Sequence, residues 1–344
     1  MTENLQDSSE SKRARWNGAP LKDRLQHFKT IYVKHRSIGK VTKFIERELM
    51  LRQVEECATG VLVIAGSGSG KSSFVEFLRR QYPDVDTPEL SIRPVVCFHV
   101  PAVPSPSSMG SALLKALGDP VHGRGTWEEK KDRAEKLLLK AKTIIVAIDD
   151  FQDVPSKRKA RGVEHVANWI RDVCDFKFPG LVVALGTEQA AVVRDAHEQL
   201  LRRMQPRFEL PVFSMESADD IKHFRTLLDL VDEQLPLGLS SNLKSAHLAR
   251  PLIAASNGIL DYMMKLLLRA VVRAVERQSE RIDFVDLELA FEDLHQVAAR
   301  AGNPFTPGWN GNALTGPGQI FGLAREAAEA EDKALKKSRS RKAN

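Results

Sequence analysis

The sequence predicts an α/β fold: a parallel sheet with helices on both faces (αβα), preceded by a helical lead-in and followed by an all-α lid domain. Three observations carry this. Short apolar runs at 60–65 (GVLVIA), 94–100 (PVVCFHV), 143–148 (TIIVAI), 181–185 (LVVAL) and 210–213 (LPVF) lack the polar alternation of a strand wetted on one side. Stretches of helical spacing separate them, at 72–81, 108–117, 128–141 and 163–175, and such alternation implies parallel strands joined by crossovers. After Phe213 only helical periodicity remains, as far as Ala301.

Taken in order, residues 1–19 are polar and read as a disordered N-terminus. Leu21, Leu25 and Phe28, then Ile38, Val41, Phe44 and Ile45, recur at three and four residues and make 20–56 a helical extension. The α/β domain follows over 57–214. Ser217 then reads as an N-cap ahead of Asp219 and Asp220, whose charges suit the positive end of a helix, and the lid runs over 215–302. Within the lid Gly258 closes one helix and Gly302 the last. Residues 303–344, rich in Pro, Gly, Lys and Ser, read as a flexible basic tail.

Composition narrows the classes. The 344 residues suit two domains by length, and 51 Lys and Arg against 45 Asp and Glu leave a mild excess of +6. That charge permits a nucleic-acid or acidic-surface partner but does not demand one. No run approaches the ~18 apolar residues of a membrane span, and the start of the chain has no signal-peptide core. Cys57, Cys97 and Cys174 are far apart and form no CxxC pair, which argues against a disulfide framework or a zinc site. A reducing cytoplasm, without a membrane partner, is the expected setting.

The strongest local signal follows the first apolar run: Gly66, Ser67, Gly68, Ser69, Gly70, Lys71, Ser72 and Ser73. Glycines let a backbone wrap an anion with its N–H groups, a lysine reaches β- and γ-phosphates, and a following hydroxyl ligates Mg²⁺. This reads as a P-loop for ATP with Mg²⁺. Ala65 stands where the pattern has its first Gly, and Gly66 and Gly68 are expected to supply the lost freedom. Asp149 and Asp150 end the run at 143–148. Asp149 fits the carboxylate on the metal side, and Asp150 the general base that polarises the attacking water. With an apolar run between loop and acids in sequence, another strand is expected to separate the Lys71 strand from the Asp149 strand. The second acid of such ATPases is usually Glu, so the shorter Asp150 predicts slow hydrolysis.

Other positions keep two readings each. Thr187, after the fourth run, either contacts the nucleophilic water as a sensor of the γ-phosphate or caps the next helix. Arg203 or Arg207, with Arg202 beside them, either reaches a phosphate held by a neighbouring subunit or forms surface ion pairs. Lys157, Arg158, Lys159 and Arg161 either meet a DNA backbone or form a solvated loop, and Lys265, Arg269, Arg273 and Arg277 line one helix face with the same alternatives.

In sequence order the glycine-rich loop, FHVPAVPSPSSMGSALLKALGDP, IIVAIDDFQDV, VANWIRDVCDFKFPGLVVALGTEQA and QLLRRMQPRFELPVF resemble the TniB/TnsC family of AAA+ transposition ATPases. The resemblance covers about residues 20–305, and Asn303-Pro304-Phe305 is similar to that family's C-termini. It implies an ATP-dependent regulator that oligomerises on double-stranded DNA as a ring or filament. Such a regulator links a TniQ-type targeting protein to a DDE transposase of the TniA/TnsB type in transposons, some of them CRISPR-associated. Carried over by position, Lys71 and Ser72 match the Walker A residues, Asp149 and Asp150 the Walker B pair, and Thr187 the first sensor. Arg203 falls among the family's QL-x-RRF arginines, with Met204 in place of Phe. A second sensor arginine is not evident after Gly258, where the chain reads Ile259-Leu260-Asp261. The tail either tethers the transposase or only solubilises. Two other readings stay open: a nucleotide-gated DNA scaffold with little hydrolysis, and a helicase-loader or initiator-like ATPase.

Overall fold

A computed structural model describes residues 12–52, 54, 59–66, 68–156, 161–195, 197–210, 212–296, 302–316 and 318–322. The backbone divides into two compact units. One, the sheet unit, spans Lys34–Pro211; the other, the helical unit, joins Met1–Val33 to Val212–Asn344. The extension read over 20–56 is thus shared: α1 (Leu21–Phe28) lies in the helical unit and α2 (Arg36–Arg52) in the sheet unit.

The sheet unit continues through β1 (Thr59–Ala65), α3 (Lys71–Gln81), a two-stranded ribbon of β2 (Val85–Asp86) and β3 (Ser91–Ile92), then β4 (Val95–His99). After α4 (Pro106–Ala116) and α5 (Trp127–Lys140) come β5 (Ile145–Asp149), α6 (Asp153–Ser156), α7 (Arg161–Cys174) and β6 (Leu181–Gly186). Helices α8 (Glu188–Asp195) and α9 (Glu198–Arg203) lead to β7 (Arg207–Leu210). The five main strands are parallel in the order β4-β5-β6-β1-β7.

Local chemistry explains the boundaries. Ser105 and Ser108 form a capping box with Pro106 in the first turn of α4, and Thr126 with Glu129 does the same for α5. Every residue of β5 and β6 is buried; since neighbours on a strand point to opposite faces, both faces of the sheet are covered. Trp169 on α7, wholly buried, meets Phe98 of β4 edge-on at 5.7 Å. Helix α2 buries Ile38, Val41 and Ile45, and its Phe44 ring sits 5.2 Å from Phe208 of β7.

One strand departs from its apolar run. The expected strand at 210–213 is instead β7, whose residues 207–210 pair with 62–65 of β1. This edge strand alternates, with Arg207 and Glu209 exposed and Leu210 buried, so apolar continuity points past it. Phe213 belongs to the helical unit, where its N–H donates to Gly258 O.

The helical unit packs α1, α10 (Ala218–Asp232), α11 (Ala246–Ser256), α12 (Leu260–Glu276) and α13 (Phe284–His295) around one apolar core. Ser217 Oγ accepts the Asp220 N–H, as an N-cap does. Asn257 and Gly258 close α11 in left-handed conformations, and a Cβ on Gly258 would lie 1.8 Å from Phe213 O, so only glycine fits. Two terminal readings change. Arg13 is buried and donates to Asp232 O and Leu239 O, so residues 12–19 are fastened rather than disordered. Phe305, Leu314 and Phe321 are buried in the same core, so the region from Asn303 to Phe321 is packed rather than loose. Their anchoring side chains are sparse among Pro and Gly, which hides them from composition. Residues 1–11, Ala301 and the tail beyond residue 322 lie outside the described residues.

Candidate functional site

The first apolar strand delivers the glycine-rich loop. β1 runs through Ala65, opposite Leu210, so this position takes strand geometry and tolerates a side chain. Left-handed φ falls later, at Gly68 (73°) and Gly70 (95°), where a Cβ would be strained. Gly70 is the N-cap of α3 and offers no side chain, so no side-chain acceptor occupies the first-turn N–H groups of the helix. Lys71 Nζ donates to Ala65 O at 3.0 Å and Gly66 O at 3.1 Å, resting on the carbonyls of its own loop. Ser69 is buried, and its hydroxyl has no partner among the described residues. Ser72 and Ser73 are exposed on the first turn of α3, and Ser67 lies outside the described residues.

These features fit a bound phosphate chain. Uncapped amides, an orphaned buried hydroxyl and an ammonium held only by carbonyls all improve when an anion arrives. The oxygens of Ser72 and Asp149 are the hard donors that Mg²⁺ prefers.

Sheet order places the acids. β6 lies between β1 and β5, with Ile64 opposite Gly186 and Ala184 opposite Ile148. The loop, Thr187 and the Asp149–Asp150 pair therefore leave the same edge of the sheet, and loop and acids are two strand spacings, about 10 Å, apart. The separating strand expected from sequence order is thus β6, while the run at 94–100 forms the outer strand β4.

Asp149 is buried, and its Oδ1 accepts the Asp150 N–H at 2.9 Å. Asp150 sits in the left-handed region (φ 57°), uncommon for a residue with a Cβ. Register sets His99 opposite Asp149, and His99 Nδ1 lies 3.1 Å from Asp150 Oδ2 and 3.9 Å from Asp149 Oδ2. The other oxygen of Asp150 accepts from Gln152 Nε2 at 3.0 Å. The acidity of this edge reaches Cys97, whose thiol is pushed up to about 11, first by burial and then by the Asp149 charge.

The half-buried Thr187 donates its N–H to Gln152 Oε1 at 3.1 Å. Among the described residues its hydroxyl makes no hydrogen bond, so it does not cap α8 through its side chain. His99 and Gln152 are site residues that sequence reasoning missed. Strand pairing brings His99 to the acids from 50 residues away, and the only local signal for Gln152 is a polar residue two positions past Asp150.

The arginines stand elsewhere. Arg202 pairs with Glu198, Arg203 with Asp175, and Arg207 with Glu188 and Glu209. Arg207 is opposite Leu62, its backbone about 10 Å back along the strand from Ala65, and its guanidinium reaches Glu188, the residue after Thr187. In the helical unit the basic stripe is largely neutralised: Lys265 pairs with Asp261, Arg273 with Asp293 and Glu276, and Arg277 with Asp283 and Asp286. Lys157, Arg158 and Lys159 lie outside the described residues, as does the side chain of Arg161, the first residue of α7. Among the described residues no helix is long and apolar enough to cross a membrane.

Among solved structures the chain is similar to the ORC1 protein of Aeropyrum pernix in complex with DNA, at 16% identity and a TM-score of 0.55, over 78% of this chain and 68% of that one. It is likewise similar to the ORC2 protein of Aeropyrum pernix in ADPNP–ADP complexes, at 13% identity and a TM-score of 0.55, over 76% and 68%. Cdc6p from Pyrobaculum aerophilum aligns at 14% identity with a TM-score of 0.51, over 77% and 69%. At such identities the likeness is one of fold, the AAA+ arrangement of parallel sheet and helical domain. No curated protein matches the chain. Residues 28–215 match the family described as Bacterial TniB protein. Because that match spans more than half of the chain and takes in both the phosphate loop and the acidic pair, the chain belongs to the TniB family of bacterial, transposition-associated ATPases with the AAA+ fold.

Proposed function

We infer that this protein is an ATP-dependent regulator of DNA transposition. In the ATP state it oligomerises on double-stranded DNA and links a TniQ-type targeting protein to a DDE transposase, and hydrolysis drives disassembly. The observation that carries this reading is one sheet edge, in a TniB-family chain, holding both the anion-ready loop and the acidic pair about 10 Å apart.

The chain's own residues do the following. Lys71 exchanges the carbonyls of Ala65 and Gly66 for the β- and γ-phosphate oxygens. The loop amides and Ser69 cradle the same anion, and Ser72 with Asp149 holds the metal. Mg²⁺, when bound, neutralises charge on the phosphate oxygens. Asp150 accepts the proton of the attacking water, and Thr187 orients that water with its free hydroxyl. Arg203 or Arg207 completes the site of a neighbouring copy, so assembly depends on nucleotide. Lys157, Arg158, Lys159 and Arg161 contact DNA phosphates without reading sequence, which suits a protein whose target is chosen by another.

The test is sedimentation and electron microscopy with duplex DNA in Mg-ATP, in ADP and without nucleotide. Oligomers are expected in ATP alone, and Lys71→Ala abolishes ATP binding and assembly together; DNA-supported oligomers that survive this substitution overturn nucleotide gating. A second reading, a nucleotide-gated scaffold with little turnover, is favoured by Asp150 itself, a short acid whose two oxygens are already engaged by His99 and Gln152. Phosphate release stimulated by duplex DNA excludes it.

A further inference from the structure

Gln152 joins two parts of the site that come from different strands. Its Oε1 accepts the Thr187 N–H at 3.1 Å, beyond β6, while its Nε2 donates to Asp150 Oδ1 at 3.0 Å, beyond β5. The turn carrying it is pinned from both sides: Phe151 N–H donates to Leu185 O at 2.9 Å, and Asp153 N–H to Asp150 O at 2.9 Å. The approach is close. A Cβ on Gly186 would lie 3.0 Å from Gln152 Oε1 and 3.2 Å from its backbone N. With its backbone in the left-handed region, Asp150 has its carboxylate direction fixed by what bonds its two oxygens, Gln152 on one and His99 on the other.

We propose that Gln152 is a positioning residue that locks the Asp150 carboxylate to the Thr187 backbone, so that the base and the γ-phosphate sensor keep one shared geometry. This rests on the reading of Asp150 as the base. A primary amide suits the task because it carries a donor and an acceptor on one rigid plane. Glutamate keeps only the acceptor, and leucine keeps neither. The plainer alternative is that Gln152 merely satisfies the Thr187 amide just ahead of α8, which needs the acceptor alone.

The experiment uses the full chain with Mg-ATP and duplex DNA and reads three quantities: phosphate release, affinity for a fluorescent ATP analogue, and hydrogen exchange of residues 186–190 without nucleotide. Gln152→Glu should leave exchange at Thr187 slow and analogue affinity within about twofold, yet lower kcat about 100-fold, the scale of a misplaced reacting group. Gln152→Leu should speed exchange as well. In an Asp150→Asn background Gln152→Glu should change kcat by less than about twofold, because the two residues act as a unit. Wild-type kcat in Gln152→Glu, or an equal loss in both backgrounds, overturns the proposal. Should Gln152→Leu fail to fold, Gln152→Glu decides alone. If the unaltered chain releases no phosphate, the reading of Asp150 as base fails and takes this one with it; if it turns over and Gln152→Glu matches it, only the role of Gln152 falls.

Discussion

The two units treat their charges in opposite ways. In the helical unit they are fastened to one another. Arg24 is almost wholly buried and donates to both oxygens of Glu280 at 2.9 Å, to Pro236 O and to Ala19 O, while Glu280 also accepts from the N–H groups of Gly18 and Gly238. In the sheet unit the charges at the strand ends are held loosely: Lys71 on two carbonyls of its own loop, Asp150 between the His99 ring and the Gln152 amide on a left-handed backbone. A charge satisfied by a partner charge and several amides gains nothing from a ligand. A charge resting on carbonyls exchanges them for a phosphate at little cost. Scaffold and site therefore differ less in how many ions they hold than in whether those ions are already satisfied.

If that contrast is right, substitutions in the two units fail differently. The largest effect is expected for Asp150→Asn: kcat falls about 100- to 10,000-fold, the usual weight of a general base, while the melting temperature and ATP-dependent assembly persist. Unaltered hydrolysis removes Asp150 as base. Next, Arg24→Ala strands Glu280 and several carbonyls and should cost about 3–5 kcal/mol in denaturant unfolding of the helical unit. A loss below about 1 kcal/mol would make this network an ordinary surface pair.

Acid gives a smaller effect. Burial pushes His35 down to about 4, so the folded state holds it neutral while the unfolded chain protonates near its ordinary 6.5. Stability is then full above about pH 6.5 and declines as the pH falls toward 4, by about 2 kcal/mol at most by pH 5. His35→Asn should flatten that part of the melting profile, and an unchanged slope would assign it to other groups. Smallest of all, Lys265→Ala breaks an exposed pair within one helix and should leave the melting temperature essentially unchanged. A clear loss of DNA binding there would show that the basic stripe does more than neutralise its neighbours.

Much of this architecture can be read along the chain because its signals are local. An apolar run buried on both faces, a Gly-Lys-Ser turn at a helix start and the Ser217 cap each depend on a few adjacent residues, so the α/β order, the phosphate loop and the acidic pair are legible without coordinates. Where sequence reading falters, the governing contacts are distant or sparse. β7 alternates at an edge, so its strand character comes from pairing with 62–65 rather than from apolar continuity. Phe305, Leu314 and Phe321 anchor a segment whose composition looks loose, and Arg13 fastens residues that look like a disordered start.

Adjacent residues alone fix the chemistry offered at one end of the sheet: a loop whose amides are open to an anion, and the carboxylates that follow a strand. What bonds those carboxylates is set by the packing of distant strands. His99 reaches Asp150 through the pairing of β4 with β5, and Gln152 reaches Thr187 because β6 lies beside β5. Such neighbours follow from strand order, a property of the whole sheet, and a short stretch of chain carries no record of the strand that will lie next to it.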